Sequence, residues 1–310
     1  MTGFQLMTPV CLIIFNRPEY TLRVLESIRL VQPRRLFVVA DGPRNDVPGD
    51  VNACMSARNV LEMVDWDCEI LTNYSEVNLG CKIRVASGLN WVFDNADEAV
   101  ILEDDCIPHP SFFRFCEEML ERYRNDPRIM SISGNSFQAG RNRTSCSYYF
   151  SRYTHVWGWA SWQRAWSHYE VGMNQWPTAR DLNWLQDFLG DQRAVRYWSY
   201  IFQRAYEGLD TWDYAWMFTC WMSNALSIVP NVNLVSNIGF GPRSTHTTQT
   251  GSRFANISAE EMIFPLKHPP GVVRDGRADD FTEEIMFSGI LNSLFERIRV
   301  RRKGVNKTIV

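Results

Sequence analysis

Four short apolar runs, separated by stretches of helical periodicity, restrict the first hundred residues to one class of fold. The runs are Pro9–Phe15, Arg35–Ala40, Cys68–Thr72 and Ala99–Leu102. Short apolar runs bounded by turn residues read as buried strands. Asn16-Arg17-Pro18-Glu19 opens a helix after the first run, with proline near its first turn. Leu22, Leu25, Ile28 and Leu30 give that helix an apolar face. Further helices are expected near Val51–Val64 and from Cys81 to Phe93. Strands alternating with helices demand a parallel sheet with right-handed crossovers. The expected class is therefore α/β, a mostly parallel sheet flanked by helices.

The rhythm continues through a patterned helix at Pro110–Arg124 and a fifth strand at Ile129–Gly134, and then breaks. Ser147–Ser151 reads as a short edge strand, and Val156–Trp166 is crowded with tryptophan. Helical patterns follow at Asp181–Leu189, Gln192–Gly208 and Trp212–Ala225, with short strands at Ser227–Val229 and Asn233–Val235. Residues 239–256 are rich in Gly, Ser, Thr and Asn and read as a mobile loop. Ile285, Met286, Ile290, Leu291, Leu294, Phe295 and Ile298 keep helical spacing, and Arg297, Arg299, Arg301, Arg302, Lys303 and Lys307 then cluster. Such a basic amphipathic end either lies on an anionic bilayer or packs as a final helix with a solvated tail.

Bulk properties exclude several function classes. A net charge of −3 gives no global attraction for nucleic acid. No uninterrupted apolar stretch nears the roughly 20 residues of a membrane span. Met1–Pro9 lacks the basic and apolar regions of a signal peptide, so the expected location is the cytoplasm, with a peripheral membrane contact through the basic tail. Eight scattered cysteines without a Cys-x-x-Cys pair read as reduced thiols rather than a zinc site. Most of the 12 tryptophans lie between Trp157 and Trp221. Core packing is their default use, and stacking under a sugar ring the alternative.

The fourth strand runs directly into Glu103-Asp104-Asp105. Acids there emerge at the carboxyl end of a sheet strand, where open α/β sheets bind ligands. Three adjacent carboxylates repel one another unless something positive neutralises them, and a hard divalent cation shared with substrate phosphates suits such oxygen donors. Asp41, in Ala40-Asp41-Gly42-Pro43 after the second strand, either accepts from a base or ribose or serves the turn. Asn78-Leu79-Gly80 turns into a helix whose first turn carries Lys82 and Arg84, a placement suited to a pyrophosphate. Neither a Gly-x-x-x-x-Gly-Lys-[ST] loop nor a Gly-x-Gly-x-x-Gly turn is present, which argues against P-loop NTPases and nicotinamide dehydrogenases.

Taken together, Phe15-Asn16-Arg17-Pro18, Ala40-Asp41-Gly42, Asn78-Leu79-Gly80 and Ile101-Leu102-Glu103-Asp104-Asp105 resemble the motif order of GT-A glycosyltransferases. The Glu-Asp-Asp form is most similar to the N-acetylglucosaminyltransferase I group and its bacterial relatives. The resemblance covers about residues 8–250. It implies a nucleotide-sugar-binding α/β half over residues 1–135, an acceptor-binding and catalytic half over 136–256, and a C-terminal extension over 257–310. By that resemblance Asp105 ligates Mn2+ or Mg2+, Glu103 and Asp104 contact the nucleotide-sugar, Asp41 holds the base or ribose, and Arg17 lies near the nucleotide. Thr211-Trp212-Asp213-Tyr214-Ala215-Trp216 resembles the Trp-Asp-Asp-Trp stretch that carries the group's catalytic base. Asp213 is then the base for an inverting displacement, with Asp210 the alternative because the spacing departs from that stretch. A helix N-cap is the structural reading of Asp213. His246 is implied as a metal or phosphate contact and Arg243 as a phosphate contact; an exposed loop histidine is the plain alternative.

The function so implied moves a sugar from a nucleoside-diphosphate donor, a UDP-sugar before GDP- or dTDP-sugars, to a glycan or lipid-linked glycan. Bacterial surface polysaccharide synthesis fits the resemblance and the basic tail. A sugar-phosphate nucleotidyltransferase is one rival, but it needs a Gly-rich, Arg-containing phosphate loop after the first strand, where Phe15-Asn16-Arg17-Pro18 stands. A non-enzymatic carbohydrate-binding protein is the other, and it leaves the acids unexplained.

Overall fold

The computed structural model describes residues 4–240 and 254–287. Arg243, His246 and the basic cluster from Arg297 onward lie outside the described residues, as does most of the expected 285–298 helix.

The first part of the chain alternates as the apolar runs demand. Strand β1 (Val10–Ile14) leads to helix α1 (Pro18–Arg29), β2 (Arg35–Ala40) to α2 (Asp50–Asn59), and β3 (Glu69–Tyr74) to α3 (Gly80–Asn95). β4 (Glu98–Glu103) ends in the acidic turn. β1 pairs in parallel with β2 and β4, and β2 with β3. Strands β1 and β2 are buried on both faces, whereas β3 at the sheet edge alternates toward solvent. That contrast follows from their places in the sheet, two strands inside it and one at its edge.

The later elements extend the same sheet. They are β5 (Cys106–Pro108), α4 (Pro110–Tyr123), β6 (Ile129–Ser133), β7 (Tyr148–Ser151) and β8 (Trp159–Trp162). Helices α5 (Gln163–Trp166), α6 (Trp176–Asp181), α7 (Trp184–Leu189), α8 (Gln192–Tyr206) and α9 (Asp213–Met222) follow, then β9 (Leu226–Pro230), β10 (Val235–Asn237) and α10 (Gly276–Thr282). The eight-stranded sheet has the order β3-β2-β1-β4-β8-β6-β9-β7, so no break between sheets falls near residue 135. β8 is antiparallel to both neighbours, β4 and β6, while β6 and β9 are parallel. β5 and β10 form a separate antiparallel ribbon in which Asn237 stands opposite Cys106. The segment 257–287 is not a detached tail: Met262 and Leu266 join the main core, and Asp279 of α10 is fully buried.

Most tryptophans are core. Trp159, Trp162, Trp166, Trp212 and Trp216 pack into the main core above the sheet strands, with Trp159 stacked on Trp212 at 5.4 Å. Trp176, Trp198 and Trp221 build a second core under α8 and α9, where Trp198 meets Trp221 edge-on at 4.7 Å. Rings of this size each bury on the order of 200 Å². They supply the rigidity that lets short helices and loops hold a fixed wall. The eight cysteines are all free, and four of them, Cys11, Cys106, Cys116 and Cys220, are fully buried, so their thiol pKa values are pushed up. Among the described residues no helix is long and apolar enough to cross a membrane.

Candidate active site

A cleft of 640 Å³ opens at the carboxyl ends of β1, β2, β4 and β6. Arg17, Asp41, Arg84, Glu103, Asp104, Asp105 and Asp213 all line it, although they span nearly two hundred residues of sequence. Parallel strands bring their carboxyl ends to one edge, and that alone gathers the first six.

At one end of the cleft the carboxylate of Asp41 is saturated by the chain itself. Its oxygens accept from the backbone N–H groups of Gly42 at 2.8 Å, Leu79 at 2.9 Å and Gly80 at 3.1 Å, and from Asn78 Nδ2 at 3.1 Å. Burial pushes the Asp41 pKa up, and those donors oppose the shift. The expected acceptor for a base or ribose is thus tied to the start of α3, in contact with the cleft but with its acceptor positions taken. Asp210, the alternative base, caps the same helix: it accepts from Cys81 N at 3.1 Å and Lys82 N at 2.8 Å. Gly80 makes this possible, because its φ is +78° and a Cβ there would stand 2.9 Å from both Asp210 oxygens.

This corrects the expectation for the first turn of α3. Its free N–H groups meet two carboxylates of the chain rather than facing an open phosphate site. Lys82 turns away from the cleft and its Nζ donates to the Ala205 carbonyl at 2.7 Å. Arg84 stays on the cleft wall, but it is buried and its guanidinium donates to the Asn73 carbonyl at 2.6 Å and to Asn73 Oδ1 at 2.7 Å. A helix turn spaces successive side chains about 100° apart, so two cations two residues apart serve different faces.

The acidic turn is in the opposite condition. Among the described residues Arg17 is the guanidinium in direct contact with it, binding both Asp104 oxygens and Asp105 Oδ2, the last at 3.0 Å. Burial alone would lower the Arg17 pKa, but Asp104 and Asp105 more than offset that and keep it charged. Burial, then Asp105, Asp104 and Asp213, push the Glu103 pKa well up. The Asp104 pKa is also raised, by burial and by Asp105, against the pull of Arg17. Glu103, Asp104 and Asp105 thus lie side by side, and each carboxylate raises its neighbour's cost of ionising.

Asp105 is positioned by residues that lie far away in sequence. Its carbonyl accepts from Ile238 N at 2.9 Å, and its Oδ1 from Asn237 Nδ2 at 3.4 Å. Gly239 lies so close that a Cβ there would fall 2.0 Å from Asp105 Oδ2. The end of β10 and the two residues after it thus clamp the third acid, which Arg17 also contacts.

Asp213 is the first residue of α9, with Trp212 at the cap position, so it is not the helix cap. Its Oδ1 accepts from Thr211 Oγ1. It is half-buried beside Tyr214 and close enough to Glu103 to raise that group's pKa. Of the tryptophan segment 156–162, only Trp157 lines the cleft, together with Val156, while Trp159 and Trp162 are core.

Among the cleft residues that the sequence pattern did not single out are Asn135, Phe137 and His155. Burial pushes the His155 pKa down to about 3, so its imidazole is neutral at physiological pH. It packs edge-on against Phe137 at 4.8 Å, and Phe137 against Trp157 at 5.0 Å. A turn sequence such as Gly134-Asn135-Ser136 carries no signal for a site; only its place at the end of β6 does.

The acidic turn suits a hard divalent cation. Its donors are carboxylate oxygens set side by side, and burial followed by the neighbouring carboxylates raises the Glu103 pKa. Among the described residues no three His, Cys, Asp or Glu side chains converge into a ready-made metal cage. A cation here would take Asp105 and complete its shell with substrate oxygens, the usual arrangement for Mg2+ bound with phosphates.

No protein-family profile and no curated protein matches the chain. Among solved structures it is similar to a UDP-glucose pyrophosphorylase complexed with UDP-glucose, at 14% identity and a TM-score of 0.27, over 47% of this chain and 62% of that one. It is also similar to 4-diphosphocytidyl-2C-methyl-D-erythritol synthase from Anaerococcus prevotii, at 10% identity and a TM-score of 0.31, over 52% of this chain and 74% of that one. The first match thus spans less than two thirds of the pyrophosphorylase, and likeness of this extent bears on neither activity nor substrate.

Proposed function

We propose that this chain is a metal-assisted, inverting glycosyltransferase of the GT-A type, moving a sugar from a nucleoside-diphosphate donor to a hydroxyl of a glycan or lipid-linked glycan. The observation that carries the reading is the pairing, in one cleft, of a turn of adjacent carboxylates with a separate carboxylate at the head of α9. A nucleoside-diphosphate leaving group and an acceptor proton make those two different demands.

Asp105 holds the cation, and Asp104 fixes Arg17 beside it. A divalent cation, when bound, supplies charge neutralisation for the departing diphosphate. Arg17 adds a fixed positive charge at the same edge, already oriented before any ligand arrives. Asp213 takes the acceptor proton as the acceptor oxygen bonds to the anomeric carbon and the bond from that carbon to the phosphate oxygen breaks. One base and no enzyme nucleophile then give inversion at the anomeric centre. Thr211 orients the Asp213 carboxylate, and the aromatic surroundings limit water near it. Asp210 is committed to α3 and takes no part in proton transfer.

The test is release of nucleoside diphosphate from a panel of UDP-, GDP- and dTDP-sugars with manganese and candidate glycan acceptors. Acceptor-dependent release, with the product anomer inverted by NMR, is the expected result. Absence of release from every donor, with and without acceptor, sinks the enzyme reading.

A further inference from the structure

Asn135 is 1% exposed, and neither its Nδ2 nor its Oδ1 has a hydrogen-bond partner among the described residues. A buried carboxamide left this way is destabilising at each unmet group, and native structures keep few of them. The backbone on either side is in the opposite state. Gly134 N donates to the Gly158 carbonyl at 2.7 Å, Leu234 N donates to the Gly134 carbonyl at 2.9 Å, and Ser136 N donates to Asn233 Oδ1 at 3.1 Å. Among the described residues the turn is fixed without the side chain it carries, and the side chain lines the cleft.

Its companions define what would bind. Half-buried Trp157 supplies aromatic surface with the buried Phe137 ring packed edge-on against it, and His155 is held neutral, so these three side chains add no net charge. A carboxamide offers one donor group and one acceptor group side by side. Apolar faces with paired donor and acceptor at the rim match a pyranose ring, whose C–H face is apolar and whose hydroxyls both donate and accept. They do not match a phosphate, which wants cations, nor a hydrocarbon, which would leave the amide unmet.

We infer that Asn135, with Phe137, His155 and Trp157, forms a subsite that holds a pyranose ring through the Asn135 carboxamide. The subsite deepens the glycosyl-transfer reading and rests on it for the ring's source, which is either the donor sugar or the acceptor glycan. Asn135 binds and orients; it moves no proton.

The decisive variant is Asn135→Leu, similar in shape and without polar atoms. In the free protein it keeps or raises Tm, because two unmet polar groups are removed; a lowered Tm would mean the amide serves the fold and would overturn the proposal. Binding is then read by calorimetry with manganese for UDP, UDP-glucose and UDP-N-acetylglucosamine, and by saturation-transfer NMR for methyl glucoside and methyl N-acetylglucosaminide. UDP binding should be unchanged, while at least one sugar class loses about tenfold or more in affinity. Loss confined to the UDP-sugars assigns the ring to the donor, and loss confined to the methyl glycosides assigns it to the acceptor. Equal affinity of variant and wild type for every sugar overturns the subsite. If wild type releases no nucleoside diphosphate yet binds methyl glycosides through Asn135, the transfer reading falls and the sugar site stands.

Discussion

Two groups of carboxylates stand at the same edge of the sheet under opposite conditions. Asp41 and Asp210 meet the start of α3, and the described contacts give each of them N–H donors of the chain. Glu103, Asp104, Asp105 and Asp213 lie close enough to one another across the cleft to raise the Glu103 pKa, and Arg17 pairs with Asp104 and Asp105. Sequence position does not separate the groups, since every one of these acids sits at or near an element end. What separates them is their company: Asp41 and Asp210 accept from several N–H groups at one helix start, whereas Glu103, Asp104 and Asp105 lie beside one another, which raises the Glu103 and Asp104 pKa values.

The sharpest way to break this division is Asp213→Asn. It should bind manganese and UDP-sugar as wild type does while transfer falls by about 10²–10⁴, the usual scale for a lost general base. Next, Asp105→Ala should weaken manganese-dependent UDP binding by roughly a hundredfold, as a lost metal ligand implies. Calorimetry on both variants tests the assignment, and equal loss of donor binding in the two would erase the distinction between their roles.

Asp41→Ala should instead act on folding. It strands the N–H groups of Leu79 and Gly80 and the Asn78 amide, so a loss of about 3 kcal/mol in urea unfolding is expected. A fully buried acid elsewhere gives a comparison by pH. Burial pushes the Asp279 pKa up to about 6, against Ser151 and the flanking Arg152. The folded state then holds this proton more tightly than the unfolded chain, so its contribution is complete below about pH 4 and is lost as pH rises through 6. That amounts to about 3 kcal/mol, at roughly 1.4 kcal/mol per pH unit. The fall should be absent in Asp279→Asn, measured by denaturation across that range. The smallest effect is expected for Asp210→Ala, which removes a cap worth about 1 kcal/mol and should leave transfer within about twofold. A collapse of transfer in Asp210→Ala would move the base from Asp213 to Asp210.

The residues that were legible in sequence are those whose meaning is local. β1, β2 and β4 announce themselves as apolar runs because both faces are buried, and the acids after β4 are adjacent in the chain. β8 was not legible. Trp159-Ala160-Ser161-Trp162 lacks strand composition, and it becomes a central strand only because β4 and β6 stand on either side of it. The first turn of α3 misled for a related reason. Its polarity was readable, but the carboxylate of Asp210 that satisfies it comes from well over a hundred residues away. Asn135 is the extreme case, since a partnerless side chain is a property of its surroundings and leaves no trace in the order of residues.

The clamp on Asp105 has a consequence for how the protein is made. The acidic turn leaves the ribosome early, but Asn237, Ile238 and Gly239, which fix its third member, are synthesised 130 or so residues later. Through that interval a nascent chain carries all three acids and Arg17 without the ribbon that orients Asp105. A fragment cut before residue 235 would retain the alternating strands and helices yet lack the residues that hold Asp105 in place. The first half of the chain can therefore not be excised with its acidic turn intact, because the last support of that turn arrives with the far half.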